Sequence, residues 1–315
     1  MGSYVARRLL LFIPTVAIVA TLVFALIRLI PGDMVTLMVQ TNHYAPSAVA
    51  LRTKLGLNEP LPAQYLHFIG NLVHGDLGHS FRSGRSAWSE VKDRAPVTAE
   101  LGLMSLVISS LIGLPLGVLS AMRSKSVVDY AGRGLSILLL AVPNFWLATI
   151  IIVVPSVIWN LNILPHYVSF GHAPLQNLRL MVLPAVITGA ASAAGIMRLT
   201  RTMLLDVARQ DYVRTATAKG LSSRVVVVRH MLKNALVPVV TVMGFQVAVI
   251  MSGSVIMEQV FGLPGMGRYL LDNISQRDYP MVQAMTLMYA LVVLTVNLLV
   301  DLSYGLLDPR MELGG

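Results

Sequence analysis

Residues 211–238 run D-Y-V-R-T-A-T-A-K-G-L-S-S-R-V-V-V-V-R-H-M-L-K-N-A-L-V-P, from Asp211 to Pro238, a basic and polar stretch between two long apolar runs. Asp211 suits an N-cap, the residues after it are helix-compatible, and Gly220 stands where a left-handed stop is wanted, so the spacing predicts a short helix from Tyr212 to Lys219. Small side chains at Thr215-Ala216-Thr217-Ala218 would let another protein's surface come close, while Arg214 and Lys219 give the helix charge. Ser222 or Ser223 can cap a second helix carrying Arg224, Arg229 and Lys233, after which charge ceases at Asn234. The same stretch also suits a basic loop that only fixes orientation in a membrane, and composition alone leaves both open.

Outward from this segment the chain is made for lipid. Of its 315 residues 55% are hydrophobic and 12% charged, with a mean hydropathy of +0.71, against roughly 25% charged in soluble proteins. The net charge of +9 is spread over segments separated by apolar spans, so no basic face forms for nucleic acid, and positive-inside topology explains it better. With no cysteine there is no disulfide framework, thiolate nucleophile or cysteine metal site.

Apolar runs of spanning length occur at Leu9–Ile27, Leu101–Met122, Gly134–Pro165, Leu180–Met197, Asn234–Met257 and Tyr279–Val300, each near or above the ~18–20 residues that cross the hydrocarbon. Six transmembrane helices are predicted in an all-α membrane protein. The third run is too long for one span, and Pro155 predicts a kink or an end there. The first run exceeds the ~7–15 residues of a signal-peptide core and lacks a small-residue cleavage site, which argues against cleavage.

With the N-terminus inside, the inner segments hold Arg7, Arg8, Arg123, Lys125, Arg133, the basic residues from Arg198 to Lys233, and Arg310, whereas the short outer loops hold only Arg179, Arg268 and Arg277. Both termini and the Asp211 segment are therefore expected on the cytoplasmic side. The long first loop, residues 31–95, would lie outside. Ala48, Leu51 and Leu55, stopping at Gly56, and Tyr65, Phe68, Ile69 and Leu72, ending near Gly75, predict short amphipathic helices there. The stretch Glu258–Asp278 is rich in turn formers but lacks the phosphate-loop pattern and is expected to cap a path through the membrane.

No H-E-x-x-H or G-x-S-x-G motif occurs, and the seven histidines are scattered, so no catalytic residue or metal ligand is assigned. Met251-Ser252-Gly253-Ser254 suits a small-residue packing patch. Ion-driven carriers bury acids or histidines at mid-span, whereas Arg28, Glu258 and Asp301 fall near span ends, where they can snorkel or face water. A self-powered carrier is disfavoured, and a channel or membrane receptor is the alternative from another class.

Nearly the whole chain resembles a permease subunit of the dipeptide/oligopeptide/nickel class of ATP-binding-cassette (ABC) importers. The resemblance lies in an ordered series: Tyr4-Val5-x-Arg7-Arg8, Pro31-Gly32-Asp33, Leu55-Gly56-Leu57-Asn58-Glu59-Pro60-Leu61, Gly75-Asp76-Leu77-Gly78, Pro143-Asn144-Phe145-Trp146, Asp211-Tyr212-Val213-Arg214-Thr215-Ala216, Ala218-Lys219-Gly220, His230 with Asn234-Ala235, Pro264-Gly265-x-Gly267-Arg268, Arg277-Asp278-Tyr279-Pro280 and Asp308-Pro309-Arg310. It implies the type I importer permease fold, with the Asp211 segment as the EAA loop whose short coupling helix docks on an ATPase subunit. Asp211, Tyr212, Arg214, Thr215, Ala216, Lys219, Gly220 and Arg224 become the coupling residues. Arg214, Thr215 and Ala216 stand where the general pattern reads Glu-Ala-Ala, and Lys233 where it often has proline, which leaves open which side chains touch the ATPase.

The resemblance further implies a second homologous permease, two ATPase subunits that carry ATP and Mg, and an extracytoplasmic solute-binding protein, with no enzymatic activity and no cofactor on this chain itself. Peptides are the implied solute, with nickel-chelate, glutathione or oligosaccharide as alternatives, and the bacterial cytoplasmic membrane the implied location. Ser252, Gly253, Ser254 and Asn297 are candidates for the translocation path. The expected division is residues 1–30 for the N-terminus and first span, 31–95 for the outer loop, 96–305 for the permease core with its coupling loop at 206–236, and 306–315 for a cytoplasmic tail.

Overall fold

Apolar runs in lipid must satisfy their own backbone, and helices do so within one segment. The computed structural model describes residues 2–29, 32, 35–36, 52–53, 56–161 and 166–307. The elements are α1 Gly2–Arg28, α2 Leu61–Val73, α3 Ala87–Met122, α4 Val127–Ala141, α5 Asn144–Trp159, α6 Pro174–Ala208, α7 Asp211–Ala218, α8 Leu232–Phe261, α9 Met266–Gln276 and α10 Tyr279–Leu307. One helical turn, Ser223–Val225, and a π-helical stretch, Val226–Met231, lead directly into α8. The expected helix through Ala48, Leu51 and Leu55, the Pro31 and Asp33 positions, and the tail from Asp308 onward lie outside the described residues.

Among the described residues five helices, α1, α3, α6, α8 and α10, are long and apolar enough to cross a membrane, and α4 with α5 forms a sixth if the pair is one broken span. The break differs from the expected one. α5 runs through Pro155 and ends on Asn160 in the left-handed conformation, whereas α4 and α5 meet at an 88° bend around Val142 and Pro143. A proline disfavours helical geometry in the residue before it, and Val142 is accordingly extended, while α5 carries Pro155 in its last turns without ending there.

The chain divides into two compact units, one drawn from residues 1–97 and 264–298, the other from 98–263 and 299–315. In the first, Val23 and Ile27 of α1 pack with Tyr279 and Val282 of α10. The α2 stripe is packing: Phe24 of α1 meets Tyr65 edge-on at 5.4 Å and Phe68 at 5.5 Å between ring centres. α2 stops before Gly75, which is left-handed as its position suggested. Within Glu258–Asp278 the turn formers Gly262, Pro264 and Gly265 fall in the short connection at 262–265, while Gly267 lies inside the next helix. Met266 opens α9, which buries Met266 against Val91 and Met285. Three glycines and a proline between 262 and 267 hide this helix from a composition-based reading.

Asp278, fully buried, ties the loop at 80–81 to the start of α10. Its carboxylate accepts from Ser80 Oγ at 2.6 Å and from the Phe81 N–H at 3.2 Å. Ser80 Oγ in turn accepts from the N–H groups of Arg82 at 3.1 Å and Ser83 at 2.9 Å. Asp278→Ala strands buried donors, each at a cost of about 1–3 kcal/mol. Trypsin should then cut at Arg82 and Arg85 markedly faster than in the wild type; equal cutting rates would show that the carboxylate does not hold this loop.

In the second unit α6 is central. Gly113 and Gly117 put the α3 backbone directly on it: a Cβ at Gly113 would sit 2.6 Å from the Ala193 carbonyl oxygen, and one at Gly117 2.7 Å from that of Met197. Gly189 of α6 answers with its own close approach to Ser105. Association in lipid rests on such van der Waals contact between small residues. α6 also overruns its expected span of Leu180–Met197: Arg198 and Arg201, counted as loop residues from sequence, are helical.

Candidate functional site

Two residues, Arg209 and Gln210, separate the end of α6 from the start of α7. Gln210 occupies the N-cap position without a side-chain bond, and Asp211, expected as the cap, is the first helical residue, where its charge favours the positive end of the helix dipole. Gly220, at φ +78°, turns the chain out of the helix as expected, and nothing lies within 4 Å of where its Cβ would be. Thr215 and Thr217 return their hydroxyls to the carbonyls of Asp211 and Val213 at 2.9 and 3.0 Å.

The helix has one apolar side and one open side. Val213 and Ala216 are buried against Val226, with Val207 and Met231 beside them. Asp211, Tyr212, Arg214, Thr215, Lys219, Gly220 and Arg224 are exposed. Ala216 is therefore turned into its own chain rather than outward, because with Val213 it lies three residues along the same face. Arg214 and Asp211 approach to 3.5 Å with both side chains largely in solvent.

Ser222 holds the N-cap position ahead of Ser223–Val225, again without a side-chain bond, and the second helix expected here is the start of the fifth span itself. Asn234 Nδ2 donates to Tyr212 Oη at 2.8 Å, joining α7 to the first turn of α8.

One constellation on α3, α4 and α6 escaped the sequence. Asp129, in the first turn of α4 and fully buried, accepts from Arg201 Nε at 2.6 Å and Nη2 at 2.8 Å, from Ser120 Oγ at 2.5 Å and from the Lys125 N–H at 2.9 Å. A usable signal was present: Ser126-Val127-Val128-Asp129 has the S-x-x-D form of a capping box, and Ser126 does cap α4 by accepting from the Asp129 N–H. The partner, Arg201, carried no such signal.

Glu258, expected near a span end where it could snorkel or face water, does lie close to the end of α8 but is fully buried and accepts from Thr98 Oγ1 at 2.7 Å. Of the path candidates, Ser252 is exposed and back-bonded to the Ala248 carbonyl at 3.0 Å, while Ser254 is fully buried and bonded to the Met251 carbonyl at 2.8 Å. A Cβ on Gly253 would meet Thr188 of α6 at 3.7 Å. Gly253 and Ser254 thus pack, and of these three only Ser252 is open. Asn297 is half-buried on α10 in the first unit. Among the described residues no three His, Asp or Glu side chains gather to hold a metal ion.

Apolar helices of spanning length with a short helix seated among them, polar side exposed, define a polytopic membrane protein. Residues 113–313 match the family described as "Binding-protein-dependent transport system inner membrane component", and residues 1–102 match the N-terminal family of the same systems. The chain belongs to this family. It is 38% identical over 336 aligned positions to the dipeptide transport system permease protein DppB of Escherichia coli K12, covering 99% of each chain. It is 39% identical over 317 positions to the oligopeptide transport system permease protein AppB of Bacillus subtilis, covering 99% of this chain and 100% of the other. Its fold is similar to a crystal structure of an amino acid ABC transporter with histidines, with a TM-score of 0.51 and 15% identity over 65% of this chain and 88% of that one.

Proposed function

We propose that the chain is one of two permease subunits of an ABC importer for short peptides, moved by ATP hydrolysis on partner subunits that grip α7. The observation that carries this is the orientation of α7. Val213 and Ala216 seat it on its own chain, while Asp211, Tyr212, Arg214, Thr215, Lys219, Gly220 and Arg224 face away. A helix so held can pass a push on its outer face to α6 and α8. ATP closure of the ATPases would shift it, the spans would open outward to take solute from an external binding protein, and hydrolysis would reset them. Energy reaches the spans only through contacts that differ between the two states.

In this arrangement residues 31–95 lie outside, the 206–236 loop and both termini lie in the cytosol, and ATP and Mg stay on the partners. Relatives named for dipeptide and oligopeptide transport support a peptide solute. The deciding experiment reconstitutes the chain in liposomes with its companion permease, ATPases and binding protein, and compares uptake of a labelled dipeptide with glutathione, a nickel chelate and an oligosaccharide. Uptake should require ATP and the binding protein and favour the dipeptide. Solute accumulation or ion conduction by the chain alone would overturn the assignment.

Arg214→Glu tests the outer face. An exposed ion pair such as Arg214 with Asp211 adds little to stability, so the variant should insert and melt like the wild type. Its uptake should nevertheless fall about tenfold or more, the scale of a lost coupling free energy. Wild-type uptake would place the ATPase contact elsewhere.

A further inference from the structure

The Asp129 carboxylate holds more than a helix cap requires. Ser126 already caps α4. Arg201 adds two parallel bonds from α6, Ser120 one from the last turn of α3 and Lys125 one from the connecting turn, so a single side chain fastens three elements to α6. Lys125 itself is held at φ +64°.

We propose that Asp129 and Arg201 are positioning residues of the transport cycle, a latch that makes the α3–α4 corner move with the end of α6 when α7 is displaced. This rests on the docking of α7 proposed above. Only Arg209 and Gln210 separate α6 from α7, and Val207 of α6 lies under Val213 and Ala216, so a displaced α7 carries the last turns of α6 with it. Beside this pair the end of α3 meets α6 through van der Waals contact, with Ala121 and Val118 in one cluster with Leu204 and with Gly117 against Met197 and Thr200. Apolar surfaces lack directional bonds and can shear. A bidentate guanidinium–carboxylate pair fixes both distance and orientation, and it cannot slip without leaving a buried charge unpaired.

This chain has no cysteine of its own, so spin labels attach to it only at introduced positions, and partner subunits freed of cysteine remove the remaining background. Labels at Thr217→Cys on α7 and Ser124→Cys in the corner, both exposed positions, are measured in the whole complex in nanodiscs, with and without ATP and vanadate. The wild type should show one narrow distance in both states. Arg201→Met should broaden that distribution and lower dipeptide moved per ATP about tenfold, a common size for a coupling effect. Because Arg201→Met leaves a buried carboxylate unpaired, the double variant Asp129→Asn with Arg201→Met is the control: it should recover thermal stability and assembly but keep the broad distribution and the low transport-to-hydrolysis ratio.

If the ratio recovers together with stability, or if Arg201→Met changes neither ratio nor width, the latch is wrong. If the ATPases fail to restrict a label at Thr217 in the otherwise wild-type chain, the docking of α7 is wrong, and the latch falls with it.

Discussion

A Gly117→Leu chain should accumulate in the membrane several-fold below the wild type and unfold in detergent at a clearly lower temperature. A side chain here meets backbone: its Cβ would lie 2.7 Å from the Met197 carbonyl oxygen and 2.7 Å from the Thr200 Cβ. Overpacking costs ~1–3 kcal/mol where neighbouring side chains can give way. A carbonyl inside α6 can move only with its helix, so the cost falls at the top of that range or above it. Losses of this size change cellular abundance several-fold. Gly113, one turn earlier, makes the same approach to Ala193, so moving the helices apart at Gly117 would also open that contact. Gly134→Leu is the matched control, since nothing lies within 4 Å of its Cβ position. Equal levels and melting of the two variants would contradict the close crossing of α3 on α6.

Ala216→Asp should release α7 from its seat, abolish uptake and leave ATP hydrolysis on the partner subunits uncoupled. Ala216 is only 6% exposed and packed with Val213 and Val226. An unpaired carboxylate there costs ~3 kcal/mol or more if it stays buried. α7 is short and held by few apolar contacts, so local release is the cheaper response. Hydrogen exchange in the purified chain, without any ATPase, should therefore speed up across residues 211–219. Ala218→Asp, on the exposed side, should leave that exchange unchanged. If Ala216 instead met a partner directly, the isolated chain would exchange at the wild-type rate, and that result would sink the internal seat.

Much of the fold was legible because its signals are local. Apolar runs of spanning length located the membrane-crossing helices, and the α2 stripe stopped where Gly75 turns left-handed. The α7 helix was visible from its composition and from Gly220. Errors arose where two local signals competed. Pro155 outweighed Pro143 as the expected break, although the residue before Pro143 is the one driven out of helical geometry. The glycines of 262–267 concealed α9. Charges at Arg198 and Arg201 ended a predicted span that the backbone carries on to Ala208.

By itself the sequence determined where apolar length permits a crossing, where a glycine must stop a helix, and that a short polar helix in a basic segment separates the fourth and fifth predicted spans, since each depends on residues within one turn or one run. Only the tertiary structure decided which way Ala216 points and which charges are buried. Asp129 meets Arg201 across 72 positions and Thr98 meets Glu258 across 160. A buried charge is tolerated only when a partner from elsewhere in the chain reaches it, and no local pattern of hydropathy or spacing carries that information.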